Sequence, residues 1–231
     1  ANSTAFCRVN TLKWLMYTAQ ERGWIRLHPF IGFNCLPEYR RRSFLTEEDL
    51  QSIIHVKLKY KRQRAIRDMF LFMCFTGLAY ADLKEITYKN IHTDSDGGTW
   101  LMGNRIKTGV AYVVKLLPIA IELVEKYRGD NEKKSSPDKV FPVGEYQAMV
   151  SSLRVLTRIC GCSTGITPHI GRHTFAVLAI LKGMPLETLQ KVLGHKSILS
   201  TQIYAELINP KVGEDTDKLC MKIGDTYRLA N

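Results

Sequence analysis

The run Met69-Phe70-Leu71-Phe72-Met73-Cys74-Phe75 is apolar at every position, so a helix through it has no face that water would welcome. Such a helix must be wrapped by other elements, which places the one predicted over residues 63–75 at the centre of a core. Seven apolar residues fall far short of the roughly 20 that span a bilayer, leaving burial inside protein as the solution. The N-terminus shows no basic segment followed by an apolar one, so neither a secreted nor a membrane protein is expected. With 231 residues the chain can hold one sizeable domain, or one domain and a fragment of another. Its 45% apolar and 24% charged residues are globular proportions and exclude wholesale disorder or collagen-like repeats.

Residues 1–42 differ from the remainder of the chain. Helical spacing through Leu12, Leu15, Met16 and Ala19 predicts a helix over residues 11–22, stopped by Gly23. One helix makes no core, so the segment reads as the end of a preceding domain, with Arg40, Arg41 and Arg42 in a basic linker that on DNA would follow phosphates. A second domain, residues 43–231, opens with Thr46 as N-cap, Asp49 three residues on, and Leu45 facing Leu50 across the cap. Residues 99–107 and 111–116 read as a hairpin around Thr108-Gly109, and further helices are predicted over 118–129, 145–159, 167–182, 185–193 and 197–207. The fold class is therefore α+β, mostly α-helical with a small antiparallel β-sheet.

Lys and Arg number 33 against 22 Asp and Glu, and the resulting net charge of +11 favours a polyanionic partner, nucleic acid above all. Six scattered cysteines form no disulfide framework and suggest a reducing compartment. Cys160-Gly161-Cys162 has no second Cys or His pair to complete a metal site, so no metal is expected. His28, His55, His92 and His173 show no spacing of a metal triad, and His173 reads as packing or hydrogen-bonding within the domain.

Chemistry concentrates in Thr167-Pro168-His169-Ile170-Gly171-Arg172-His173-Thr174-Phe175. With Thr167 as N-cap and Pro168 in the first helical position, His169 and Arg172 share a face near a helix N-terminus. Unpaired N–H groups and partial positive charge there suit a phosphate, and a guanidinium adds a planar fork. Leu193-Gly194-His195 places a histidine 23 residues after Arg172, and Tyr204 follows nine residues later.

Through "TPHIGRHTFA", "LGHKSILSTQIYA" and "FTGLAYADL", residues 43 to about 210 resemble the tyrosine recombinase family, the phage-integrase-like enzymes, and in particular integrases of Bacteroides-type mobile elements. The resemblance implies the family's DNA breaking-rejoining catalytic-domain fold and site-specific recombination of double-stranded DNA with no cofactor. It implies that Tyr204 attacks a phosphodiester to give a 3′-phosphotyrosyl link, a step in which a phenol with pKa near 10 needs help losing its proton. His169 is then the candidate base, Arg172 the clamp on the non-bridging oxygens, and His195 a further donor to the same phosphate. Lys107, at the hairpin, would protonate the leaving 5′-oxygen, with Arg105 and Lys115 as nearby rivals for that task and Arg105 also a candidate DNA contact. The resemblance further implies a homo-tetramer on DNA, whose residues 209–231 pack on a neighbour through Leu219, Met221 and Ile223. The free fragment is compatible with a monomer, and the setting is bacterial cytoplasm.

The sequence departs from the family where its first catalytic arginine should follow Leu78, because Ala79 stands there. Arg67 is the candidate replacement, ahead of Arg64 and Arg62, unless it pairs with Asp68 or a surface acid. Asp82 matches the family's supporting acid. Two other classes stay open: a type IB topoisomerase with the same nucleophilic chemistry, and a catalytically inactive DNA-binding relative, which Ala79 motivates.

Overall fold

A computed structural model describes residues 2–35, 43–131 and 138–205 of the chain. Arg40, Arg41 and Arg42, and the stripe of Leu219, Met221 and Ile223, lie outside the described residues. Contacts divide the chain into two compact units, residues 1–41 and 42–231.

In the first unit α1 runs Asn2–Glu21, starting nine residues before the helix read from the apolar spacing, because its first turns carry almost no apolar periodicity to signal them. Gly23 ends it with φ of 71°. The loop after it folds back, with His28 Nε2 at 3.2 Å from the Lys13 carbonyl and its ring against Tyr17.

The second unit opens as its cap residues dictate. Thr46 Oγ1 accepts from the Asp49 amide at 3.1 Å, Asp49 accepts in return from the Thr46 amide, and α2 runs over Glu47–His55. The apolar helix, α3 (Lys61–Thr76), is central: Phe70, Phe72, Met73 and Cys74 are wholly buried, and α5 (Pro118–Asn131), α6 (Tyr146–Cys160) and α7 (Pro168–Leu181) pack round it. Its tightest neighbour is α7, where Gly171 comes so close that a Cβ there would stand 3.2 Å from Phe70 and Met73. A short helix not read from the sequence, α4 (Tyr80–Glu85), comes after α3.

The sheet has three antiparallel strands in the order β1 (Ile91–Thr93), β2 (Thr99–Asn104) and β3 (Ala111–Lys115). The hairpin pairs Leu101 with Val114 and Asn104 with Ala111. β1, three residues long, is too short to carry a period-2 signal of its own. Tyr112 and Val114 face inward on alternate positions of β3.

Beyond α7 come α8 (Leu186–Leu193), closed by Gly194 at φ of 61°, and α9 (Leu199–Ala205). These pack with the later turns of α7 into a second apolar cluster of Phe175, Ala176, Val177, Ile180, Leu189, Leu193 and Tyr204. Among the described residues no helix is long and apolar enough to cross a membrane.

Candidate active site

Arg172 sits one turn into α7, whose start is set by Thr167 accepting from the Ile170 amide and by Pro168 in the first turn. Only 5% exposed, its guanidinium donates from Nη1 to the Gly77 carbonyl at 2.6 Å and from Nη2 to the Leu193 carbonyl at 2.8 Å. Those carbonyls lie at the C-terminal ends of α3 and α8, where the peptide dipoles leave partial negative charge. Left-handed glycines make both ends possible. Gly77 has φ of 71°, and a Cβ on it would meet Phe175 at 2.6 Å and Leu193 at 2.7 Å. Burial, and next the nearby Arg105 charge, push the Arg172 pKa down to about 10, so the side chain stays cationic at neutral pH.

Tyr204, on α9, is 1% exposed. Its Oη lies 2.9 Å from His173 Nδ1 and is hydrogen-bonded by Arg172. His195, just past the α8 cap, holds Thr201 Oγ1 at 2.8 Å through Nδ1, and its ring lies nearly parallel to the Tyr204 ring with centroids 6.4 Å apart. His169 is exposed one turn before His173, their ring centroids 6.2 Å apart.

Arg105 completes the cluster from the hairpin. Its stem passes under Gly194, where a Cβ would stand 2.7 Å from Arg105 Cγ. Its Nη1 lies 2.6 Å from Asp82 Oδ2. That buried nitrogen nevertheless makes no well-directed hydrogen bond, so charge rather than an aligned N–H holds the pair. Asp82 is itself fixed, its Oδ1 accepting from the Ile106 amide at 2.9 Å and its Oδ2 from the Ala79 amide at 3.4 Å. Tyr112 nearby has its pKa raised to about 12, by burial first and by the Asp82 charge second.

The structure thus brings Arg172, His195, Tyr204, Arg105 and Asp82 together, with His169 at the margin. Lys107 is exposed in the turn between β2 and β3, two residues past Arg105. Arg67 is not part of the cluster. Its Nε and Nη2 donate to Asp68 Oδ1 at 3.0 and 2.8 Å, and its Nη1 donates to the Val56 carbonyl at 3.1 Å. Ten residues of α3, about 15 Å, separate it from Gly77. The expectation that Arg67 replaces the missing arginine is therefore corrected: it neutralises the buried Asp68, which Lys126 and Tyr127 also contact. Arg105, expected to contact DNA or to compete with Lys107, is turned inward at 12% exposure, beside the backbone of Ala79. The one signal of this in the sequence is an arginine in the hairpin and an acid three residues after Ala79. His173, which reads from the sequence as a packing residue, touches the phenol.

Two guanidiniums share the site with one carboxylate. The surplus positive charge, buried beside a tyrosine hydroxyl, suits a singly charged oxyanion. Among the described residues no group of three or more His, Cys, Asp or Glu is arranged to hold a metal ion.

Comparison with known proteins places this arrangement in a class. The chain is 30% identical over 175 residues to tyrosine recombinase XerA of Saccharolobus solfataricus, covering 75% of this chain and 56% of that protein. It is 29% identical over 182 residues to XerD of Chlorobaculum tepidum, covering 71% and 57%. The chain thus spans a little over half the length of these curated relatives. The fold matches a crystal structure of XerA recombinase with a TM-score of 0.63 at 18% identity, over 82% of this chain and 71% of that one. It also matches a lambda integrase dimer bound to a COC′ core site, with a TM-score of 0.64 at 20% identity, over 84% and 70%. Residues 43–209 match the model of the phage integrase family, and the chain belongs to that family. These relatives do not carry the narrower likeness to Bacteroides-type elements.

Proposed function

We propose that the chain is the catalytic part of a site-specific DNA recombinase that cuts and rejoins double-stranded DNA through a 3′-phosphotyrosine on Tyr204. The observation that carries this reading is the contact of Arg172 and His173 with the Tyr204 hydroxyl, next to a second guanidinium from Arg105. A scissile phosphate bound there meets positive charge on the side where negative charge develops. Arg105 stands in for the arginine absent at Ala79. His169 and His195 flank the phosphate position, and Lys107 hands a proton to the departing 5′-oxygen from the hairpin turn. The net charge of +11 and the DNA complexes among similar folds, such as XerH recombinase bound to its difH substrate, support duplex DNA as partner.

In the same reading residues 1–42 are the end of a core DNA-binding domain, with Arg40, Arg41 and Arg42 in its linker, and four copies assemble on DNA in bacterial cytoplasm. An apolar groove of about 990 Å³, lined by Leu50, Ile54, Phe75, Val113, Leu178 and Met184, offers a place for a neighbour's C-terminal segment. An inactive relative is not favoured, because Arg105 fills the charge gap that motivated it, and relatives named as recombinases weigh against a topoisomerase. The test is a suicide duplex with a nick beside the scissile phosphate. The wild-type chain should trap a covalent adduct that Tyr204→Phe abolishes, and no adduct with any flanking sequence of the coding region would overturn the reading.

A further inference from the structure

Tyr204 Oη is held between two consecutive residues of α7. His173 Nδ1 lies 2.9 Å away, and Arg172 hydrogen-bonds the same oxygen. A guanidinium only donates, so the phenol oxygen accepts from Arg172 and keeps its own hydrogen to offer to an acceptor such as His173 Nδ1. With the phenol as donor, the imidazole carries its hydrogen on Nε2 and aims the Nδ1 lone pair at the proton that has to leave.

We infer that His173 is the catalytic base for Tyr204. The inference deepens the recombinase reading and rests on it. As the phenolic oxygen attacks phosphorus, its proton passes to His173 Nδ1 and the imidazole becomes imidazolium. The new P–O(Tyr) bond forms as the P–O5′ bond breaks, and the 5′-oxygen leaves with a proton from Lys107. Rejoining runs the same steps backward, with imidazolium returning its proton to the phenol. An ordinary imidazole, with pKa near 6.5, is too weak to strip a phenol of pKa near 10 beforehand. Transfer therefore accompanies bond formation, and Arg172 stabilises the phenolate character that develops. His195 has Nδ1 engaged by Thr201, and its ring lies nearly parallel to the Tyr204 ring with centroids 6.4 Å apart. His169 lies exposed a turn away, placed for the phosphate.

The experiment uses the full 231-residue chain and nicked duplexes tiled across the DNA that flanks its coding region, read as the single-turnover rate of covalent adduct formation. His173→Asn keeps an oxygen acceptor close to the Nδ1 position but no basic site. It should slow the reaction about 100-fold or more, the range of general-base effects, and remove the acidic limb of the wild-type rate–pH profile. A 5′-bridging phosphorothiolate, whose sulfur leaves without a proton, should restore cleavage to Lys107→Ala and not to His173→Asn. A His173→Asn rate within about threefold of wild type, an unchanged pH profile, or rescue by the phosphorothiolate would each overturn the assignment. Lack of any wild-type adduct sinks the recombinase reading itself, an outcome distinct from these. Should His173→Asn fail to fold, nitrogen NMR of the wild-type chain decides: a lone pair on His173 Nδ1 supports the assignment and a hydrogen there refutes it.

Discussion

Arg105 lies 2.6 Å from Asp82, and the same carboxylate oxygen accepts from the backbone amide of Ala79 at the start of α4. The ion pair thus supplies from the hairpin a guanidinium that α4 does not carry, while keeping the acid in place.

Replacing Arg105 should therefore cost far more than losing a surface contact. Arg105→Ala is expected to slow adduct formation by about 100- to 1000-fold, the scale of removing one charged donor from a preorganised site. Arg105→Lys should recover only part of this, since an ammonium cannot reach Asp82 and an oxyanion as a fork does. Single-turnover cleavage at saturating DNA checks both.

Gly77→Ala should lower stability by about 1–3 kcal/mol, from left-handed backbone strain and from a Cβ forced against the Phe175 ring. Because the Gly77 carbonyl holds Arg172, cleavage should fall with it. Denaturant melts and adduct rates measured on the same preparation test the link.

Arg67→Ala separates the two parts of α3. It leaves the buried Asp68 with Lys126 and Tyr127 as remaining partners, so a loss of about 1–3 kcal/mol is expected. At temperatures below its melt the variant should cleave at the wild-type rate.

Tyr204→Phe keeps the ring in its apolar cluster and removes only a hydroxyl hydrogen-bonded to His173 and Arg172. Stability should change by about 1 kcal/mol and DNA affinity hardly at all, while the covalent adduct vanishes. Gel shift, melting and adduct trapping on one protein distinguish this pattern from misfolding.

Local rules make much of the second unit legible in the sequence. Thr46 with Asp49, Thr167 with Pro168, and Gly194 behind Leu193 fix helix ends from chemistry within a few residues, and α2, α7 and α8 begin or end there. The motif carrying His169, Arg172, His195 and Tyr204 is legible for the same reason, as three helix ends in chain order. Features that stay hidden depend on partners distant in sequence. The inward turn of Arg105 is decided by Asp82 and Gly194, and the retention of Arg67 by Val56 and Asp68 at the other end of α3. His173 is adjacent to Arg172 in the chain, but its value comes from α9 packing across it, which no periodicity within α7 records.

Tyr204, the proposed nucleophile, also belongs to the packing, and at 1% exposure it is sealed, as Arg172 nearly is. Before a phosphate touches either, part of that seal has to give way. Wetting an aromatic ring costs about 2 kcal/mol, so spontaneous opening would leave roughly one molecule in thirty ready at any instant. On the recombinase reading, stray duplex would meet mostly shut copies, and a sequence that binds well enough to hold the open form would gain a lead over all others before a single bond is broken.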